Sequence, residues 1–167
     1  MPKPSDYVDQ FRELLTRLGA EPVGIGAFAA LRYRLEPRET TDLDFLVRSL
    51  DGVVGAAEDL GLHCRVMSHP GGEPYVIFIR GDGIAVDVLM SETDYQDEAI
   101  RRAVDGWLTV EDVIIHKLIA WRAKDQDDIE SILATRPALD ERYIERWVGE
   151  WQVESRWAEA TRRWMTR

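Results

Sequence analysis

The chain has 167 residues, of which 45% are hydrophobic and 31% charged, so its length corresponds to one globular domain or a domain with a small appendage. Its net charge of −10 argues against a nonspecific nucleic-acid binder, whose surface carries an excess of Lys and Arg. The sequence has no apolar run of the roughly 18 residues needed for a membrane span, no leader pattern after Met1, and a single cysteine, Cys64. These features predict a cytoplasmic protein without membrane contact.

The first 92 residues alternate between helical and strand patterns. Apolar residues that recur every three or four positions predict a helix from Ser5 to Gly19. The turn Gly81-Asp82-Gly83 joins two apolar runs and predicts a β-hairpin. The other predicted elements are strand 23–26, helix 27–35, strand 43–47, helix 53–60 and strands 63–67, 75–80 and 84–90. Residues 1–92 are therefore predicted to form an α/β core, a small mixed sheet with flanking helices.

Residues 93–167 carry no convincing strand pattern, and a helical C-terminal part is predicted there. Thr109 and Asp112 have the spacing of a capping box, which predicts a helix through Trp121 or Lys124. Further helices are predicted over residues 125–134, 139–149 and 152–165.

Asp42 and Asp44 lie two positions apart in an otherwise apolar strand. Residues two apart in a strand point to the same face, so the two carboxylates would lie side by side. Like charges this close repel, and burying them unpaired is costly. A divalent cation removes both penalties, and Mg²⁺ prefers oxygen ligands. The alternative is a solvated strand end, because a lone D-x-D is a weak signal in a chain with 31 acidic residues.

Two more features accompany this acid pair. Gly26-Ala27 forms a turn between a predicted strand and a predicted helix, where backbone N–H groups can bind phosphate. Asp87 is an isolated carboxylate in the apolar strand 84–90. The order of glycine turn, helix, D-x-D strand and third Asp resembles the nucleotidyltransferase superfamily, of the DNA polymerase beta-like minimal fold. The string 26–44 is similar to small bacterial nucleotidyltransferase-like proteins, which include abortive-infection toxins of toxin–antitoxin systems.

The resemblance covers residues 23–90 well and 109–130 moderately, and it implies a set of site residues. Asp42 and Asp44 would bridge two Mg²⁺ ions around a nucleoside triphosphate such as ATP. Asp87 would hold the ion that activates the acceptor hydroxyl, or act as a general base. Gly26 and Ala27 would offer N–H groups to the β,γ-phosphates. Where the superfamily usually has Ser or Gly after the turn glycine, this chain has Ala27, which lacks a hydroxyl but keeps the N–H.

Cationic candidates lie on both sides of this core. Arg38, just before the D-x-D strand, is a candidate contact for the triphosphate or an exposed loop arginine. Lys117 lies on a helix with apolar neighbours, so it needs an anionic partner or must extend to solvent. The segment 122–129 resembles the one that completes the nucleotide site in the toxin-like family, which implies a role for Asp128. Lys124 and Asp125 are weaker candidates, and a solvated charged turn is the alternative.

Three functions remain open from the sequence. The first is Mg²⁺-dependent transfer of NMP from an NTP to a hydroxyl on an RNA end such as a tRNA, or on a protein. A toxin role with a cognate antitoxin as partner belongs to this interpretation. The second is a nucleotide- or partner-binding module that has kept the fold without turnover. The third is nucleotidylation of a small molecule such as an antibiotic, since an acidic cleft suits a cationic drug.

Overall fold

The computed structural model describes residues 4–165. Five strands lie in this range: β1 (Val23–Ile25), β2 (Leu43–Val47), β3 (His63–Ser68), β4 (Pro74–Gly81) and β5 (Ile84–Met90). The helices of the N-terminal half are α1 (Pro4–Arg17), α2 (Gly26–Ala30) and α3 (Val53–Asp59). The C-terminal half contains α4 (Asp94–Arg102), α5 (Val110–Ala120), α6 (Ala123–Ala134), α7 (Glu141–Glu150) and α8 (Glu154–Met165). Within residues 4–165, none of the helices is both long and apolar enough to cross a membrane.

The five strands form one mixed sheet in the order β1-β2-β5-β4-β3. Strands β2 and β5 run parallel, whereas the other neighbouring pairs are antiparallel. The predicted hairpin at Gly81-Asp82-Gly83 is confirmed, because it joins β4 to β5 with Gly81 opposite Ile84. The predicted fold class, a small mixed sheet with flanking helices followed by a helical C-terminal part, is also confirmed.

The alternation of side chains along β2 separates two hydrophobic clusters. Leu43, Phe45 and Val47 are fully buried on the face covered by α1 and α3. Leu46 points to the opposite face, where α2 and the C-terminal helices pack. Asp44 alternates with the first set, so its carboxylate lies on the same face as Leu46. The apolar pattern of the strand therefore directs this acid into the space between the sheet and the helices.

Two predicted elements differ from the structure. The helix predicted over residues 27–35 ends as α2 at Ala30, after little more than one turn. The Leu35 N–H instead donates to the Ser131 carbonyl of α6 (3.2 Å), and the Leu35 side chain is 62% exposed. A tertiary contact thus replaces the continuation of the helix.

The second difference is α4, which the sequence analysis did not predict. Its N-cap is Thr93, whose hydroxyl accepts a hydrogen bond from the Gln96 N–H (3.2 Å). The spacing Thr93-x-x-Gln96 is a capping box, the signal that could have identified this helix.

Candidate active site

A cavity of about 700 Å³ lies between the sheet and helices α2, α5 and α6. It brings together most of the site residues that the sequence predicts, although they come from five separate segments. The predicted residues that line it are Gly26, Ala27, Arg38, Asp42, Asp44, Asp87 and Lys117, and the weaker candidates Lys124 and Asp125 line it as well. Asp128 does not belong to the lining; it is fully buried behind it.

Two of the carboxylates lie next to each other across paired strands. Asp44 of β2 is directly opposite Asp87 of β5 in the parallel register, so both side chains leave the same face of the sheet. Burial first, and then the negative charges of Asp87 and Asp42, raise the pKa of Asp44 to about 6. Asp42 precedes β2 and is exposed, with its Oδ1 accepting a hydrogen bond from Thr41 (3.1 Å). The cavity floor therefore concentrates like charge at Asp44.

Gly26 has the backbone conformation and the space that this carboxylate requires. Its φ of +68° lies in the left-handed region, where residues with a Cβ are strained. A Cβ at this position would lie 2.1 Å from the Asp44 Oδ2. Only glycine lets the turn between β1 and α2 approach the carboxylate so closely.

Asp87 has a partner that the sequence analysis missed. The Arg80 Nη1 lies 2.7 Å from the Asp87 Oδ1. The approach is not aligned for a hydrogen bond, so this buried oxygen accepts none from the described residues. Arg80 and Asp87 lie on neighbouring strands joined by the hairpin, so their proximity is recoverable only once the register is known.

Lys117 is held by two carboxylates from α6. Its Nζ lies 2.8 Å from the Asp128 Oδ2 and 3.2 Å from the Asp125 Oδ1, and both acids are fully buried. Burial raises the pKa of Asp125, but hydrogen bonds from Arg122 and the charge of Lys117 outweigh it and leave that pKa below its usual value. Lys117 thus reaches the cavity with its ammonium group fixed in position.

Asp128 links three cations. Besides Lys117, it pairs with Arg34 and with the Arg38 Nη2 (3.3 Å). The Arg38 Nε is buried and has no hydrogen-bond partner among residues 4–165. Arg34 was not predicted, because it pairs with a residue 94 positions away and the helix assigned to it ends earlier.

His116 also lines the cavity, one residue before Lys117. Burial, together with the neighbouring charge of Lys117, lowers its pKa to about 4. Its ring makes an edge contact with Tyr95, with centroids 5.4 Å apart. His116 is therefore neutral at pH 7 and packs as part of the cavity wall.

The carboxylates of the cavity fit a metal ion in part. Within residues 4–165, no group of three or more His, Cys, Asp or Glu side chains is arranged as a complete metal site. Mg²⁺ commonly binds through one or two carboxylates, with water and substrate phosphates supplying the other oxygens. Asp44, whose charge is destabilised by its neighbours, and the Asp87 Oδ1, which accepts no hydrogen bond, are hard oxygen donors that fit such an ion.

Comparisons with known proteins agree with this architecture. No family model matches the sequence, and no curated protein matches it. Among solved structures, the chain is similar to the antibiotic-resistance factor ANT(2'')-Ia, an antibiotic nucleotidyltransferase, with a TM-score of 0.57, 13% identity and 96% of each chain covered. A likeness at this identity concerns the fold. The chain therefore has a nucleotidyltransferase-like fold with a helical C-terminal part.

Proposed function

We propose that the protein is a Mg²⁺-dependent nucleotidyltransferase that moves NMP from an NTP to an acceptor hydroxyl. One observation carries the proposal: Asp44 and Asp87 lie opposite each other at the floor of the cavity, with the pKa of Asp44 raised to about 6. Like charges this close in a cleft are unfavourable for folding even with Arg80 beside Asp87, and such clusters characterise functional sites. The nucleotidyltransferase-like fold agrees with this reading.

The residues around the carboxylates fit an NTP. Lys117 and Arg38 present positive charge to the cavity, and Arg38 retains a buried Nε without a hydrogen bond. Gly26 and Ala27 line the cavity at the turn before α2, and their backbone N–H groups are the proposed phosphate donors. Asp128 acts as a positioning residue, because it contacts Lys117 and Arg38 but not the cavity. We assign the triphosphate to these cations and the metal ions to Asp42, Asp44 and Asp87.

The reaction has a simple atomic balance. The acceptor oxygen attacks the α-phosphorus, an O–P bond forms, and the bond from that phosphorus to the bridging oxygen of the β-phosphate breaks. Pyrophosphate leaves with the bonding electrons, and Asp87 is the proposed acceptor of the hydroxyl proton. Bound Mg²⁺ would supply charge neutralisation and lower the pKa of the hydroxyl. Lys117 and Arg38 hold the departing phosphates in line.

The direct test is incubation of the protein with each α-³²P-NTP, Mg²⁺ and total RNA. Asp44→Asn removes the proposed metal ligand, and Asp59→Asn, an exposed acid on α3, is the matched control. Label on a discrete RNA band, lost in Asp44→Asn and kept in Asp59→Asn, is expected. NTP binding without release of pyrophosphate with any acceptor would instead indicate a binding module. If RNA is labelled, growth arrest on expression that depends on Asp44 would support a toxin role.

A second acceptor class is favoured by the likeness to ANT(2'')-Ia, an antibiotic nucleotidyltransferase. The same assay with an aminoglycoside in place of RNA tests it. Label on the antibiotic, with none on RNA, would select this alternative.

A further inference from the structure

The sheet continues beyond the carboxylates as an exposed surface. Strands β4 and β3 lie outside β5, and five of the six residues of β3 are exposed. Phe78 of β4 is directly opposite Asp87, and Arg65 of β3 is directly opposite Phe78. Arg80 lies two residues after Phe78, so its side chain leaves the same face. We call Arg65, Phe78 and Arg80 the arginine shelf.

Both arginines of the shelf contact the ring of Phe78. The guanidinium carbon of Arg65 lies 4.7 Å from the centroid of the Phe78 ring, and that of Arg80 lies 5.7 Å from it. Contacts of this kind hold an arginine in place while leaving its charge near solvent. Phe78 itself lines the cavity, so the shelf is continuous with the candidate active site.

The charge of the shelf is unusual for this chain. The protein has a net charge of −10, yet β3 and β4 contain no acidic residue. Arg65 forms no ion pair with any of the described residues, and Arg80 pairs with Asp87 at the edge of the cavity. Positive charge therefore lies next to the carboxylates on the side opposite Lys117 and Arg38, with Arg80 neutralised in part by Asp87 and Arg65 uncompensated among the described residues.

Cations on both sides of a carboxylate centre fit a reaction between two anions. The cations on α5 and before β2 suit the triphosphate, which leaves the shelf for the second reactant. Neighbouring β-strands lie about 4.8 Å apart, so Arg65 on β3 lies about 10 Å from β5, which carries Asp87. The last nucleotides of a single-stranded nucleic acid can cover this distance. A cationic antibiotic would be repelled by the same surface.

We propose that the arginine shelf is an acceptor subsite that binds the single-stranded 3′ end of a nucleic acid. This inference rests on the proposed function, because it identifies the acceptor of that reaction. Arg65 and Arg80 contact the terminal phosphodiesters, and the Phe78 ring and the guanidinium planes of the shelf stack with unpaired bases. The terminal hydroxyl then lies toward Asp87. RNA and DNA share this chemistry and are separated by experiment.

Binding is measured without turnover, by filter retention of 5′-labelled random 15-mers of RNA and of DNA. The main variant is Arg65→Gln, which leaves the cavity lining intact. The matched control is Arg17→Gln, an exposed arginine on α1, on the other face of the sheet. Loss of one phosphate contact to a single strand lowers affinity about 5-fold at 0.1 M salt and reduces the salt slope by about 0.7. Arg65→Lys is expected to keep the salt slope.

The outcomes are distinct. A 5-fold loss in Arg65→Gln, with wild-type affinity in Arg17→Gln, supports the subsite, and the preferred strand identifies RNA or DNA. Equal binding by both variants, or no binding of either strand by a protein that binds Mg²⁺·NTP, overturns the inference. Label transferred to an aminoglycoside or a protein also overturns it and leaves the proposed function standing. Oligonucleotide binding that depends on Arg65, with no NMP transfer to any acceptor, overturns the proposed function instead.

Discussion

Replacing Asp44 with Asn removes a charge that folding forces into an unfavourable place. The pKa of Asp44 rises from 3.8 to about 6 on folding, because of burial and the neighbouring Asp87 and Asp42. The folded state therefore holds this proton more tightly than the unfolded state, and stability falls as pH rises from about 4 to 6. At 1.36 kcal/mol per pH unit, the penalty is about 1 kcal/mol at pH 4.5 and about 3 kcal/mol at pH 7.5. Screening by water at the partly exposed carboxylate lowers the second value, so we expect a penalty of about 2 kcal/mol at pH 7.5.

The assay is urea unfolding followed by tryptophan fluorescence at pH 4.5 and pH 7.5, without divalent ions. Asp44→Asn is expected to be about 2 kcal/mol more stable than wild type at pH 7.5 and at most about 1 kcal/mol more stable at pH 4.5. Asp59→Asn is the control, since an exposed substitution changes stability by less than about 0.5 kcal/mol. If Asp44→Asn is no more stable than wild type at pH 7.5, or gains equally at both pH values, the reasoning about like charge is wrong.

Three further predictions concern the same site. Mg²⁺ with a non-hydrolysable NTP at 100 times its Kd should raise the stability of the wild type by about 2.7 kcal/mol in thermal unfolding, and leave that of Asp44→Asn nearly unchanged. An equal gain in both proteins would exclude Asp44 as a ligand of the metal ion. Gly26→Ala should abolish NMP transfer and lower the free energy of unfolding in urea by at least about 1 kcal/mol, because the new Cβ meets Asp44. Gly55→Ala, with open space at its Cβ, should change neither transfer nor stability in this way. Normal transfer by Gly26→Ala would contradict the close approach. Asp128→Asn should lower the free energy of unfolding in urea by about 3–5 kcal/mol, because it leaves the charges of Lys117 and two arginines without their buried carboxylate. A loss below about 1 kcal/mol would show that Asp128 does not anchor these cations.

The fold could be predicted where local pattern and tertiary structure agree. The strands over residues 43–47 and 84–90 match their predicted bounds because their alternating or continuous apolar residues leave no competing structure. The end of α2 could not be predicted, because the Leu35 N–H bonds to Ser131, far along the chain. Helix α4 was not predicted although its capping box was present, because most of its residues are polar and give little apolar periodicity.

The site shows the same division. The neighbourhood of Asp42 and Asp44 follows from their spacing, but pairing of β2 with β5 skips two intervening strands. The resemblance to nucleotidyltransferases, and not periodicity, predicted that Asp87 joins them. The pairs Arg34–Asp128 and Arg80–Asp87 depend on tertiary contacts and on register, which single-sequence reasoning does not supply.

The buried ion network gives an acidic protein a positively charged wall on one side of the cavity, as the proposed triphosphate site requires. Two fully buried carboxylates, Asp125 and Asp128, hold Lys117 together with arginines that outnumber them. Flexible surface cations would lose side-chain entropy on binding phosphate. Cations fixed by buried acids lose that entropy on folding, so binding does not require it again. The charges of Lys117 and Lys124 already act on Asp44, where they lower the pKa that burial and the neighbouring acids raise. The network therefore both orients the cations and limits the repulsion among the carboxylates, which lets opposite charges share one cavity before any ligand enters.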